Sequence, residues 1–205
     1  MKLNLGCGSH VPDGWINVDY ALGARFAKIP LFGFLNKRLN LFNMNWDKRI
    51  LVHDLTKRFP WGDDSVEVIY SSHTLEHFTR EGGRFFLQEC YRVLQKHGTI
   101  RIIVPDLAHL VEEYKRGKLE SDHFLDSLGV LYGDTGRGLK HWMAPFIQFP
   151  HRCMFDTPTL LTVLHNIGFD VSSKAAFESE TIEDIRKIEH EGRTKHAVIV
   201  EGKKR

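Results

Sequence analysis

At 205 residues, with 28 Lys and Arg against 26 Asp and Glu, the chain has a formal net charge of +2, without the clustered excess of base that marks a nucleic-acid-binding face. Hydrophobic residues make up 42% and charged residues 26%, which describes a globular protein, and the length suits one domain with a substantial core. No apolar run approaches the ~20 residues of a membrane span; Cys7, Cys90 and Cys153 are too few and too widely spaced for a disulfide framework or a thiolate zinc site, and with no secretory pattern after Met1 a cytoplasmic location is expected.

A short apolar run, Lys2 to Leu5, breaks into Gly6, Cys7 and Gly8, and after Pro12 and Gly14 a second run, Ile16 to Val18, closes on Asp19. The pattern predicts strand, close-approach loop, strand, acid. Glycine takes positive φ and brings the backbone to a ligand with no Cβ in the way. In open α/β sheets, ligands bind at the carboxyl ends of strands, and an acid ending the neighbouring strand can take both hydroxyls of a ribose. An ordinary tight strand-to-turn connection is the alternative. The interval from Gly6 to Asp19 is too short for the turn and full helix of a dinucleotide fingerprint, whose acid lies roughly 20 residues on. A nicotinamide dinucleotide is therefore disfavoured.

Residues 22–49 read as an insertion in which aromatic and aliphatic residues interleave with Arg25, Lys28, Lys37, Arg38, Lys48 and Arg49. It is a helical pack on the sheet edge, or a basic, aromatic lid at 25–49 for an acceptor, a second copy of the chain or the surface of a membrane. Ile50 to Val52 predicts a third strand, followed by His53, Asp54 and Leu55. Val66, Val68 and Ile69 predict a fourth, delivering Ser71, Ser72, His73 and the sequence Thr74 to His77 to the same rim as the glycine loop. A helix is expected over about residues 80–94, with Phe85, Leu87, Cys90, Tyr91 and Leu94 inward and Phe86 widening that face. Thr99 to Val104 predicts a strand buried on both faces, returning to the rim at Asp106. Leu107 to Arg116 is expected to be helical with Leu110, Val111 and Tyr114 inward. Residues 117–150 read as a second insertion, an acceptor cap. Thr157 and Pro158 predict a helix start, Thr157 as cap, and Gly168 its end. Two final strands are expected at about 169–177 and 196–201. Between them Ile182, Ile185 and Ile188 recur every third residue, consistent with a helical turn over the sheet.

LNLGCGS, VD at Asp19, HDL at 53–55, SSHTLEH at 71–77, YRVLQKHGTIRIIVPD at 91–106 and HRCMFD at 151–156, taken in order, resemble the motifs of Class I S-adenosylmethionine-dependent methyltransferases. They are most similar to a small bacterial branch often associated with surface-polysaccharide biosynthesis. The resemblance implies an α/β, Rossmann-like three-layer sandwich in one domain, with a mixed seven-stranded sheet, a short first crossover and an antiparallel last strand. It implies S-adenosyl-L-methionine as cofactor, held by Asn4, Leu5, Gly6, Cys7, Gly8, Asp19, His53, Asp54, Leu55 and Ser71. Asp54 and His53 would border adenine, on the reading that the third strand lies beside the first. Asn4 and His10 stand where the family pattern has an acid and a third glycine.

The expected reaction is methyl transfer to a sugar hydroxyl or other small or glycan acceptor, with His73, His77, Asp106 and His151 as candidate catalytic residues. His73 is the expected base, since it follows the fourth strand directly and imidazole accepts a proton near neutral pH. His151 is the runner-up, and Arg152 can bind an anionic acceptor. Two rivals stand beside this reading. One is a hydrolase or oxygenase whose metal is held by His73, Glu76 and His77 with His141 or His151; the other is a cofactor-binding regulator without catalysis.

Overall fold

A computed structural model describes residues 1–29, 46–130 and 149–205. Most of the expected lid at 25–49 and the larger part of the expected cap at 117–150, His141 included, lie outside the described residues.

Among the described residues seven strands form one sheet: β1 Lys2–Leu5, β2 Ile16–Asp19, β3 Leu51–Val52, β4 Val66–Ser72, β5 Leu94–Pro105, β6 Phe169–Ser173 and β7 Ala197–Lys204. Their order is β3-β2-β1-β4-β5-β7-β6. The first five run parallel, while β7 is antiparallel to both neighbours, as expected. β3 pairs with β2, so β2 separates it from β1, and the expectation that β3 lies beside β1 is corrected. The chain steps outward from β1 to β2 and β3, then returns to β1's other side with β4. That reversal opens a crevice at the carboxyl ends of β1 and β4, where open α/β sheets bind ligands.

Period-two alternation sends side chains to two cores. On one face Leu3, Leu5, Ile69, Ile100 and Ile102 meet Phe86, Leu87, Cys90 and Val93 of helix α1 (Arg80–Val93) and Leu160 and Leu164 of helix α2 (Thr157–Ile167). In α1 the inward stripe is Gly83, Phe86, Cys90 and Val93, whereas Phe85 is 38% exposed. Of the expected face Phe86, Leu87, Cys90 and Leu94 are buried and Tyr91 packs against the core, while Phe85 turns outward. α2 is capped by Asp156, which accepts from the Thr159 amide at 2.9 Å, so the cap falls one position before Thr157. The helix Leu107–Lys115 buries none of its side chains, and Tyr114 packs on Phe124 of the neighbouring helix Ser121–Ser127 with ring centroids 4.9 Å apart. Its expected inner face therefore meets a helix and not the sheet.

The other sheet face is covered by the connection between β6 and β7. With only a loop between β1 and β2, no helix from that crossover shields Trp15, Val68, Tyr70, Ile103 and Ile199. Ile182, Ile185 and Ile188 do so instead. Lys2 and Trp15 both donate to Asp184, at 2.5 and 2.9 Å, which fastens this strap to the strands. It then runs on through a single helical turn, Glu191–Thr194, toward the crevice.

Candidate functional site

β1 ends in a turn that favours glycine. Gly6 has φ +73° and Gly8 φ +57°, and the Gly6 and Cys7 amides both donate to the Val18 carbonyl, at 2.9 and 3.0 Å. A Cβ on Gly6 would lie 2.0 Å from Thr74 Oγ1. The Gly8 amide donates to Asp19 Oδ2 at 2.8 Å, and the Ala21 amide to Asp19 Oδ1 at 2.8 Å. The carboxylate is thus fixed in place by one bond to each oxygen. Each oxygen retains a second acceptor position, as two ribose hydroxyls require.

Asn4 is 2% exposed and donates to Asn17 Oδ1 at 2.8 Å and to the His10 carbonyl at 3.1 Å. It shapes the loop from below. Leu5 and Leu55 are core side chains, 0% and 5% exposed, and the Cys7 thiol, pushed up to about 12 by burial and by the Asp19 charge, is an inert part of the wall. Beyond β3, the His53 amide donates to the Asp19 carbonyl at 3.2 Å, while its Nε2 is buried with no partner among the described residues. Asp54 Oδ1 accepts from the Thr56 amide at 2.9 Å and hydroxyl at 2.7 Å, so this carboxylate also closes a turn. Ser71, paired with Leu5 at the end of β1, is 1% exposed and its hydroxyl has no partner among the described residues.

After β4 the chain turns through His73, whose φ is +52°, into a 3₁₀ turn, Leu75–His77. His73 Nε2 lies 2.9 Å from the Arg193 carbonyl and Nδ1 lies 3.3 Å from Glu76 Oε1. Burial opposes its charge, but the Glu76 carboxylate and the Arg193 carbonyl outweigh burial and raise the imidazole above its ordinary pKa. A ring facing an acceptor at each nitrogen is a donor at both, which suits a brace between β4 and the strap more than a base. Burial lowers the pKa of His77, keeping it neutral. Glu76, His77 and His151 come together, with the His77 and His151 ring centroids 5.1 Å apart. Asp106 stands apart from that cluster in its bonding, capping the helix that follows through the Ala108 amide at 2.9 Å. Arg152 is exposed, and its amide donates to the Glu76 carbonyl at 2.7 Å.

The sequence reading missed the strap's share of the site. A cavity of about 330 Å³ alongside the glycine loop is lined by Asn4, Cys7, Ser9 and His10, by Tyr70, and by Ile188, His190 and Arg193. Arg193 Nη1 donates to the Ser72 carbonyl at 3.3 Å, and Nη2 lies 3.1 Å from where a Gly8 Cβ would stand. The isoleucine spacing marked the segment as packed on the sheet. Nothing local marked where its polar end would arrive.

Residues 3–102, from β1 into β5, match the methyltransferase domain family model. No curated protein sequence matches the chain. Among solved structures, a SAM-dependent methyltransferase of Archaeoglobus fulgidus is similar at TM-score 0.52 and 18% identity, over 99% of this chain and 85% of that one. A SAM-dependent methyltransferase of Thermotoga maritima is similar at TM-score 0.51 and 18% identity, over 100% and 81%. The YcgJ protein of Bacillus subtilis is similar at TM-score 0.52 and 13% identity, over 100% and 91%. At these identities the likeness is one of fold. Partnerless buried groups at Ser71 and His53, the glycine turn and the two-oxygen anchoring of Asp19 fit S-adenosylmethionine at the crevice. Together with the sheet order and the match to the methyltransferase domain family model over residues 3–102, they support a Class I S-adenosylmethionine-dependent methyltransferase.

Proposed function

We propose that the chain methylates a hydroxyl of a small polar acceptor, such as a sugar or glycan intermediate. The observation that carries this reading is the mixed surface beyond β4. The exposed ring of Phe149 stands edge-on to His77, with centroids 6.3 Å apart, beside His151 and Glu76. An aromatic face next to imidazole and carboxylate complements a sugar's C–H face and its hydroxyls. The cofactor supplies an activated methyl and its leaving group when bound. What remains for the protein is to hold the acceptor oxygen in line. Asp19 takes the ribose hydroxyls, with Gly6 and Gly8 giving close approach; His53 and Asp54 border the base, and Ser71 faces the crevice. His77, His151 and Asp106 bound the acceptor side, braced by His73.

Residues 22–49 and 117–150 serve in this reading as lid and acceptor cap, with 25–49 also the surface for a membrane or a second copy. No helix among the described residues is long and apolar enough to cross a membrane. A cytoplasmic site of action belongs to the same proposal. The hydrolase or oxygenase alternative gains nothing from the family match. The test is transfer of a labelled methyl group to a panel of nucleotide-sugars, glycan intermediates, amines and thiols. Label on hydroxyls is expected; label confined to amines or thiols overturns the acceptor class. Binding of S-adenosylhomocysteine with no turnover on any acceptor would favour the regulatory reading.

A further inference from the structure

The Glu76 side chain is fully buried, where a carboxylate is strongly unfavourable unless paired or ligating, and its Oε2 has no hydrogen-bond partner among the described residues. The groups nearest it are imidazoles. His73 Nδ1 lies 3.3 Å and His151 Nε2 4.0 Å from the same oxygen, Oε1.

We propose that Glu76, His77 and His151 bind one divalent transition-metal ion, of the zinc class, at the rim where β4 ends. In both histidines Nδ1 faces a backbone carbonyl: that of His151 lies 2.8 Å from the Leu128 oxygen, that of His77 3.4 Å from the Pro150 oxygen. Donation there fixes the tautomer and leaves the lone pair on Nε2, the outer-shell arrangement that orients metal-binding histidines. One ligand atom from each of the three residues lies within 4.8 Å of the others, close enough for small side-chain shifts to bring them around one ion.

The frame that holds the ligands is made of backbone bonds. The Arg152 and Cys153 amides donate to the Glu76 carbonyl at 2.7 and 3.1 Å, and the His151 amide to the Gly129 carbonyl at 2.7 Å. Gly129 has φ +66°, and a Cβ there would lie 2.6 Å from His151 Nδ1, so the main chain grips this ring as closely as glycine allows. Two imidazoles and one carboxylate favour zinc or ferrous iron over magnesium and calcium, which take oxygen ligands.

Three protein ligands leave positions open on the ion. Resting on the acceptor reading above, the acceptor hydroxyl takes one of them and loses its proton to water more readily. The oxygen–methyl bond then forms as the sulfur–methyl bond breaks, and the sulfonium leaves as a neutral thioether. Binding of the ion does not depend on that step.

The test is calorimetric titration of chelator-stripped, gel-filtered protein with zinc sulfate, and with magnesium chloride for comparison. One zinc per chain is expected, with at least a tenfold loss of affinity in both His77→Asn and His151→Asn and no matching magnesium site. Circular dichroism confirms that the variants are folded, and both replace partly exposed rim residues instead of the buried Glu76. Cobalt(II) titration followed by visible absorption adds a spectroscopic readout of the ligand set. Absence of a one-to-one zinc site in the folded parent, or unchanged affinity in both variants, overturns the proposal. Titrating the same samples with S-adenosylhomocysteine separates the two readings. Its heat without a zinc site sinks only the metal, while zinc binding without its heat sinks the cofactor assignment and leaves the metal site standing.

Discussion

A Cβ on Gly6 would sit 2.0 Å from the Thr74 hydroxyl while the backbone held φ +73°, so alanine there conflicts with both torsion and space. Gly6→Ala should cost about 1 to 3 kcal/mol from the torsion alone, and more if Thr74 cannot yield. By displacing the amides that position Asp19, it should also abolish S-adenosylhomocysteine binding. Thermal unfolding and calorimetry check the two effects separately, and intact binding would show that the turn is not the cofactor's seat. The cysteines give a second residue-scale test. Burial and the Asp19 charge push Cys7 up to about 12, burial raises Cys90 well above its ordinary value, and Cys153 is partly exposed. Because the thiolate is the nucleophile, iodoacetamide at pH 8 should label Cys153 first and the other two only on unfolding. Peptide mass mapping against time reads the order, and early labelling of Cys7 would contradict the closed wall.

Two elements are pinned by carboxylates whose pKa the fold depresses. For Asp184, burial pushes upward, but the bonds from Lys2 and Trp15 prevail and lower it. Glu89 in α1 is lowered by Arg92, with the Phe59 amide adding to the effect against burial. A depressed carboxylate binds fewer protons folded than unfolded, so its stabilisation is complete above the ordinary carboxylate range and fades as pH falls through the folded pKa. The melting temperature should therefore hold to about pH 5 and drop below about pH 4, with a shallower drop in Asp184→Asn. A series of melts in acid buffers decides it, and an identical slope in the variant would deny Asp184 its share.

The same elements show what could be read in advance. The pair Gly6 and Gly8 before a strand ending in Asp19 announced the crevice, because torsion and chain reversal are local matters. The start of α2 was placed one residue late because Thr157 and Asp156 both cap well, and only the register of the folded turn chooses between them. Phe85 and Phe86 competed for one face of α1 in the same way. His73 and His77 with Glu76 between them, completed by His141 or His151, drew notice as possible ligands, but the orientation of His151 depends on carbonyls at Leu128 and Gly129, which no spacing rule reaches.

At the scale of the whole molecule, Arg101 joins β5 to the strap. It is fully buried, and its guanidinium donates to Glu189 Oε1 at 2.6 Å, Glu201 Oε1 at 2.8 Å, and the carbonyls of Glu178 and Ala175 at 2.8 and 2.9 Å. Arg101→Ala would strand two buried carboxylates and should cost about 3 to 5 kcal/mol, read as a lower urea midpoint. Loosening the strap should also weaken S-adenosylhomocysteine binding, since His190 and Arg193 follow directly after Glu189. Loss of stability with cofactor affinity intact would mean that the strap only covers the sheet. The strap's position has a further consequence for biosynthesis. Gly8 emerges from the ribosome long before Arg193, and β7 must still slide between β5 and β6. At ~5–20 residues per second the growing chain carries an unfinished crevice for roughly 10 to 40 s. Ligand affinity is then acquired abruptly once the strap and β7 have been made, and the cofactor cannot template the folding of the segments made before them.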